Sequence, residues 1–240
     1  MNILLTGVSK GLGLLITETL LKNGDTVFGL SRSRTKELDN IINEFPETFN
    51  WHNYDISNTE NIRDIIIKKW IGFKTPIHGF VNNAATAYDD IITNLNIEQL
   101  EKMYKVNVFA PMLLTKYVLR QMLLHQIKGS IIHISSISVH TGYKGLAMYA
   151  STKGALEAFS KNTAREWGEL GIRSNCLVAG FMETEMSASL TEEQKNRIYR
   201  RTSLKKAVNL RSVASMVAFL LSDKADSITG QNIHVDAGTI

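Results

Sequence analysis

The chain has 240 residues, 44% of them hydrophobic and 21% charged, and its 27 basic and 23 acidic side chains leave a net charge of +4. This is the composition of one sizeable globular α/β domain. A charge balance so mild does not point to nucleic acid, and the densest basic run, "NRIYRRTSLKK" at 196–206, reads as a solvated helix face.

A single cysteine, Cys176, excludes an internal disulfide framework and fits a reducing compartment. In its apolar, strand-like surroundings it reads as a small buried hydrophobe rather than a nucleophile. No signal peptide is visible, and no run approaches the roughly 18 apolar residues of a membrane span. A cytoplasmic location, with no membrane and no nucleic-acid partner, is therefore expected.

In chain order, "NILLTG" reads as a strand and "GLLITETLLKNG" as a helix closed by Gly24. "TVFGLSR" is the next strand, and "FNWHNYDI", "IHGFVNNA", "GSIIHISSI", "IRSNCLVAG" and "NIHVDAG" follow as further strands. Between them, residues 59–71, 98–125, 149–170 and 210–222 carry apolar residues at helical spacing. Alternating strands and helices predict a doubly wound parallel sheet with helices on both faces, in one domain.

The turn between the first strand and first helix is "TGVSKGLG", residues 6–13. Glycines there let the backbone approach a pyrophosphate, and the helix start offers unpaired N–H groups and a positive dipole end. The spacing Gly7, Gly11, Gly13 is neither G-x-G-x-x-G nor a Walker loop, and a tight structural turn is the alternative reading. After the second strand comes "GLSRSRTK". An acid there would bind a ribose 2′-hydroxyl, whereas Ser31 and Arg32, with Lys10 in the glycine loop, suit a 2′-phosphate. NADPH is expected, with NADH as the alternative.

"YASTK" places Tyr149 and Lys153 four apart on one helix face. A free phenol has a pKa of about 10, and a neighbouring ammonium would lower it, suiting the pair to protonate a carbonyl oxygen as hydride arrives. Ser135 and Ser136 end the strand before it, where open α/β sheets bind ligands. Asn107 is an odd choice in an apolar helix, because its amide must find partners.

Taken together, "TGVSKGLG", Asp55, "NNAA", "KVN", "SS", "YASTK", "AGFMET" and "ITGQNIHVDAG" resemble, in order and over nearly the whole chain, a short-chain dehydrogenase/reductase with a single Rossmann-like domain. The resemblance implies that Tyr149 is the acid/base, that Lys153 also bonds the nicotinamide ribose, and that Ser136 orients the carbonyl. It implies that Asn107 holds a water in a proton relay. It assigns Gly7, Ser9, Lys10, Gly11, Leu12 and Gly13 to the phosphates, and Ser31 and Arg32 to the 2′ position. Asp55, Ile56, Asn82 and Ala84 would meet the adenine side, and Gly180, Met182 and Thr184 the nicotinamide side. No metal is implied.

Ala85, Ala179 and Ala237 stand where the family usually has Gly, Pro and Gly; intact folding is expected. Within the family the chain is most similar to 3-oxoacyl-[acyl-carrier-protein] reductases. The positions where those enzymes dock an acidic carrier correspond to Ile127 and Leu170, and adjacent Lys128 and Arg173 are possible substitutes. The expected function is reversible hydride transfer between NADPH and a carbonyl or secondary alcohol, with a 3-oxoacyl thioester as leading substrate. A sugar or small ketone substrate, or a catalytically silent NADP-binding sensor, are the alternatives. Residues 182–207 are expected to form a substrate lid, with Met182, Met186, Leu190 and Ile198 lining an apolar pocket or packing the lid down. The resemblance further implies a homotetramer, or a homodimer, built on the helices at 98–125 and 149–170.

Overall fold

Strand β1 (Asn2–Thr6) is the pivot from which the chain winds in both directions. On one side lie β2 (Thr26–Ser31) and β3 (Phe49–Asn53). On the other lie β4 (Gly79–Asn82), β5 (Ser130–Ser136), β6 (Arg173–Ala179) and β7 (Asn232–Val235). The order is β3-β2-β1-β4-β5-β6-β7 and every pairing is parallel. The computed structural model describes residues 1–184, 187, 188 and 190–239; Met186, one of the expected lid positions, lies outside the described residues.

Successive strand side chains point to opposite faces, so a sheet buried on both sides needs two cores. Ile3 and Leu5 pack with Ile16 and Leu20 of α1 (Gly11–Lys22), Leu38 of α2 (Lys36–Glu44) and Val213 and Val217 of α7 (Leu210–Leu221). Leu4, between them, packs on the other face with Phe80, Ile62 and Ile66, and with Leu114 and Val118 of a helix over Ala110–Leu124. A further helix, Ala147–Trp167, packs along β5 and β6.

Three helical features depart from the sequence expectation. The span Lys36–Glu44 is a helix where none is expected: Thr35 caps it by accepting the Leu38 N–H at 3.2 Å, and Glu37 and Asp39 sit in its first turn. Residues Ile62–Ile71 form a π-type helix rather than an α-helix. Their buried positions, 62, 66, 67 and 71, step by four and five residues, which suits the wider i→i+5 turn; Gly72 N–H donates to Ile67 O at 2.9 Å in that pattern. The single helix expected at 98–125 is α3 (Ile97–Tyr104), a π-type turn over Lys105–Phe109, and α4 (Ala110–Leu124). The Ala147–Trp167 helix is α5.

Between β6 and α7, α6 (Glu192–Arg201) starts at a capping box. Thr191 Oγ1 accepts from Gln194 N–H at 3.3 Å, and Gln194 Oε1 accepts from Thr191 N–H at 2.8 Å. It buries no residue, and its charged face carries the pairs Lys195–Glu192 and Arg197–Glu193. Among the described residues, no helix is long and apolar enough to cross a membrane.

Candidate active site

The strand order reverses at β1, and the crevice beyond the strand ends there is the natural ligand site of such sheets. A cleft of about 1060 Å³ opens at this point. It is lined by residues from the turns after β1, β2, β3, β4, β5 and β6.

One end is built by the glycine loop. Gly7 has φ +77 and donates its N–H to Leu30 O at 2.7 Å, which folds the chain sharply off β1. A side chain at Gly13 would place its Cβ 1.9 Å from the Gly7 carbonyl oxygen, so the helix start rests directly on the turn. Lys10 occupies the N-cap in extended conformation, and no side chain caps α1. This cradle of bare backbone with an uncapped helix start fits a pyrophosphate. Ser9, Lys10, Gly11, Leu12, Arg32, Asp55 and Ile56 line the same end. Ser31 does too, but its hydroxyl donates to Ser33 O at 2.9 Å and accepts from Trp51 Nε1 at 2.8 Å. Arg32 and Lys10 are the cations at this end. Asp55 is exposed and accepts the Ser57 N–H at 2.9 Å.

Asn82 does not line the cleft. It is buried, and its Nδ2 lies 3.4 Å from Nδ1 of His133. Its neighbour Asn83 lines it instead. Its Nδ2 donates to Thr6 O at 3.1 Å and Gly7 O at 3.2 Å, while Thr6 Oγ1 accepts from the N–H groups of Asn83 and Ala84. Neighbouring strand residues face opposite ways, so the two asparagines could be told apart only by register.

At the other end stand Ser136, Tyr149 and Lys153. Lys153 is buried, with Nζ donating to Ile134 O at 2.8 Å and lying 5.7 Å from the Tyr149 ring centroid. Burial lowers its pKa to about 8. The expected depression of the phenol is reversed in the protein by itself: burial, then the Asp89 carboxylate, push Tyr149 up to about 12. Desolvation outweighs an ammonium that faces the ring and a main-chain carbonyl. Ser136 Oγ accepts from Ser138 N–H at 3.2 Å and Ser138 Oγ at 3.0 Å, which leaves its own O–H available to a substrate oxygen.

Asn107 lies in the π-type turn and does not line the cleft. Its Nδ2 donates to Thr86 O at 2.8 Å and Thr152 Oγ1 at 3.1 Å, and its Oδ1 accepts from Thr86 N–H at 2.9 Å. The side chain thus braces the turn after β4 against α5, and only the second lone pair of Oδ1 is left for a water.

Gly180, Met182 and Thr184 line the cleft opposite the glycine loop: a Cβ on Gly11 would lie 3.9 Å from Thr184 Cγ2. Leu190 and Ile198 line it as well. The Arg201 guanidinium of α6 sits 4.7 Å from the Tyr143 ring centroid, joining α6 to the loop before α5.

The departures from the family pattern are accommodated. Ala85 lines the cleft, and Ala179 is buried and pairs with Val235. Ala237 adopts φ +59, the left-handed region that glycine prefers. Of the two possible substitutes for the carrier-docking cations, Arg173 donates from Nη1 to Leu220 O at 2.8 Å and from Nη2 to Ser222 O at 3.1 Å, and Lys128 is exposed. Leu170 is exposed, and Ile127 packs against the core. Burial raises the Cys176 thiol to about 12, in keeping with a packing role. No cluster of metal-ligating side chains occurs among the described residues.

Comparison with known proteins supplies relatives. A family model described as Enoyl-(Acyl carrier protein) reductase matches residues 7–239. The chain is 31% identical over 237 residues to the 3-oxoacyl-[acyl-carrier-protein] reductase FabG of Salmonella typhimurium, covering 98% of this chain and 95% of that protein. It is 32% identical over 238 residues to the FabG of Aquifex aeolicus, with the same coverage. Among solved structures, 4-hydroxyisoleucine dehydrogenase complexed with NADH matches with TM-score 0.91 and 25% identity, over 99% of this chain and 98% of that one. ElxO with NADP bound matches with TM-score 0.88 and 27% identity, over the same shares. The fold is also that of a gluconate 5-dehydrogenase from Burkholderia cenocepacia in complex with NADP and tartrate, at TM-score 0.91, 23% identity and 99% and 94% coverage.

Proposed function

The chain belongs to the short-chain dehydrogenase/reductase family and is an oxidoreductase acting on carbonyl and alcohol groups; from that premise we propose that it reduces a carbonyl substrate with NADPH. One observation carries this reading: Ser136, Tyr149 and Lys153 face the same cleft as the bare glycine cradle and the cations Lys10 and Arg32. The dinucleotide, when bound, supplies the hydride and, once oxidised, a positive charge near the phenol.

The chain's own groups do the rest. Ser136 donates its free O–H to the carbonyl oxygen, and Tyr149 delivers a proton to the same oxygen. Lys153 is held beneath Tyr149 by Ile134 O, where its ammonium can favour the phenolate left behind once the phenol is drawn into the closed complex. Asn107 fixes α5 against the turn after β4, so the acid keeps its place. NADH is the alternative donor.

A 3-oxoacyl thioester is the proposed substrate, supported by the two FabG relatives and by the apolar wall of Met182, Leu190 and Ile198. The internal commitment of Arg173 favours a second reading, a sugar or small ketone that needs no carrier protein. The exposed Phe109 and Leu124 of the α4 region support assembly into a homotetramer. The lone cysteine supports a reducing, cytoplasmic setting. Residues 182–207 act as the lid.

A panel of 3-oxoacyl thioesters, sugars and simple ketones, followed by loss of NADPH absorbance, tests the reading. Turnover that collapses in Tyr149→Phe while NADPH still binds is the expected result. NADPH binding without turnover of any carbonyl would instead favour a silent sensor.

A further inference from the structure

Glu157 lies one helical turn beyond Lys153 and two beyond Tyr149, on the same face of α5. It is 6% exposed. A carboxylate so buried needs donors, and three converge on it from three different segments. Ser135 Oγ of β5 donates at 2.5 Å, Asn232 Nδ2 of β7 at 2.6 Å, and His140 Nε2 from the loop after β5 lies 3.1 Å away. An ionised carboxylate only accepts, so all three partners must present hydrogens, and His140 must carry its proton on Nε2.

The three segments frame the reaction end of the cleft. Ser135 precedes Ser136, the side chain placed to hold the carbonyl. His140 belongs to the loop whose Ser138, Tyr143, Lys144 and Leu146 line the cleft, and its ring packs edge-on against His234 of β7 at 4.7 Å. The backbone of α5, carrying Tyr149, is thus tied through one carboxylate to the strand end carrying Ser136.

We infer that Glu157 is a positioning residue, which sets the spacing between the Ser136 hydroxyl and the Tyr149 phenol through its bond to Ser135. The role rests on the carbonyl-reductase reading. Misplacing a proton donor by a fraction of its hydrogen-bond length lowers the chemical step while leaving the distant phosphate cradle untouched.

Ser135→Ala removes this link alone and leaves the bonds to His140 and Asn232. Glu157→Met keeps the side-chain length and removes the acceptor to which Ser135 donates. The expected result for each is a fall in kcat of about tenfold, with the NADPH Kd, read by fluorescence of the bound cofactor, within about twofold of the wild type. The double variant should be no worse than the weaker single one, since both act through one bond. Should Glu157→Met fail to fold, Ser135→Ala decides alone. Folded variants with wild-type kcat overturn the positioning role, and so does a double variant whose losses multiply. Wild-type protein that turns over no carbonyl instead overturns the reductase reading, and the positioning role falls with it.

Discussion

The Lys153 ammonium lies 5.7 Å from the centroid of the Tyr149 ring, and it donates to Ile134 O, not to the phenol oxygen. The acid of the proposed reaction is therefore held in its protonated form by burial, with the Asp89 carboxylate adding to the effect. A carbonyl reductase at rest needs that form, since the phenol must give up a proton only when the alkoxide develops.

Asp89→Asn should lower the Tyr149 pKa, because it removes a negative charge that opposes phenolate formation. Carbonyl reduction, which uses the phenol, would then lose activity at a lower pH than in the wild type. Alcohol oxidation, which uses the phenolate, would begin at a lower pH. Paired pH–rate profiles in the two directions check this, and unshifted limbs would contradict it.

Lys153 predicts how stability changes with pH. Its folded pKa of about 8 lies below the unfolded 10.5, so the unfolded chain holds the proton more tightly and burial costs stability at neutral pH. That cost shrinks as pH rises through the folded value. Tyr149 acts in the opposite sense, its raised pKa withdrawing stability between 10 and about 12. Urea midpoints should therefore rise from about pH 7 to about pH 10 in the wild type more steeply than in Lys153→Met. Parallel curves would exclude a buried ammonium.

The glycine loop makes a steric prediction. Gly13→Ala drives a methyl group to 1.9 Å from the Gly7 carbonyl oxygen, and backbone on both sides must give. Dinucleotide affinity should fall by more than about tenfold, with a loss of stability of about 1–3 kcal/mol. Titration of NADPH into the variant, with a thermal melt, reads both.

At the 2′ end, Arg32→Ala and Lys10→Ala should each raise the NADPH Kd by about tenfold and leave NADH within about twofold. Equal losses for both cofactors would assign these cations to the pyrophosphate.

Much of this was legible in the residues. Alternating apolar runs and helical periods gave the parallel sheet, because two-sided burial leaves a strong compositional trace. The Tyr149, Lys153 and Ser136 set was legible because i, i+4 spacing and a strand end are local features. What escaped depended on partners far away in sequence. Asn82 and Asn83 differ only in which way the pleat turns them. The rise in the Tyr149 pKa follows from its burial and from Asp89, which no spacing reveals. Arg173 looks like a free surface cation until α7 is seen to end against it. The helix over Lys36–Glu44 is different: Thr35 followed by Glu37 and Asp39 is a local start signal that the sequence itself carries.

The wide turn over Lys105–Phe109 sets α3 and α4 out of phase. An α-helix advances about 100° per residue, so deleting one residue from this turn would regularise the hydrogen bonding. It would also swing everything upstream, Met103 and the cleft-facing Lys102 included, around the helix axis. The irregularity is thus a phase adjuster: it lets one stretch of helix show its first half to the ligand and its second half to the core. Evolution could not smooth it away without remaking one wall of the cavity.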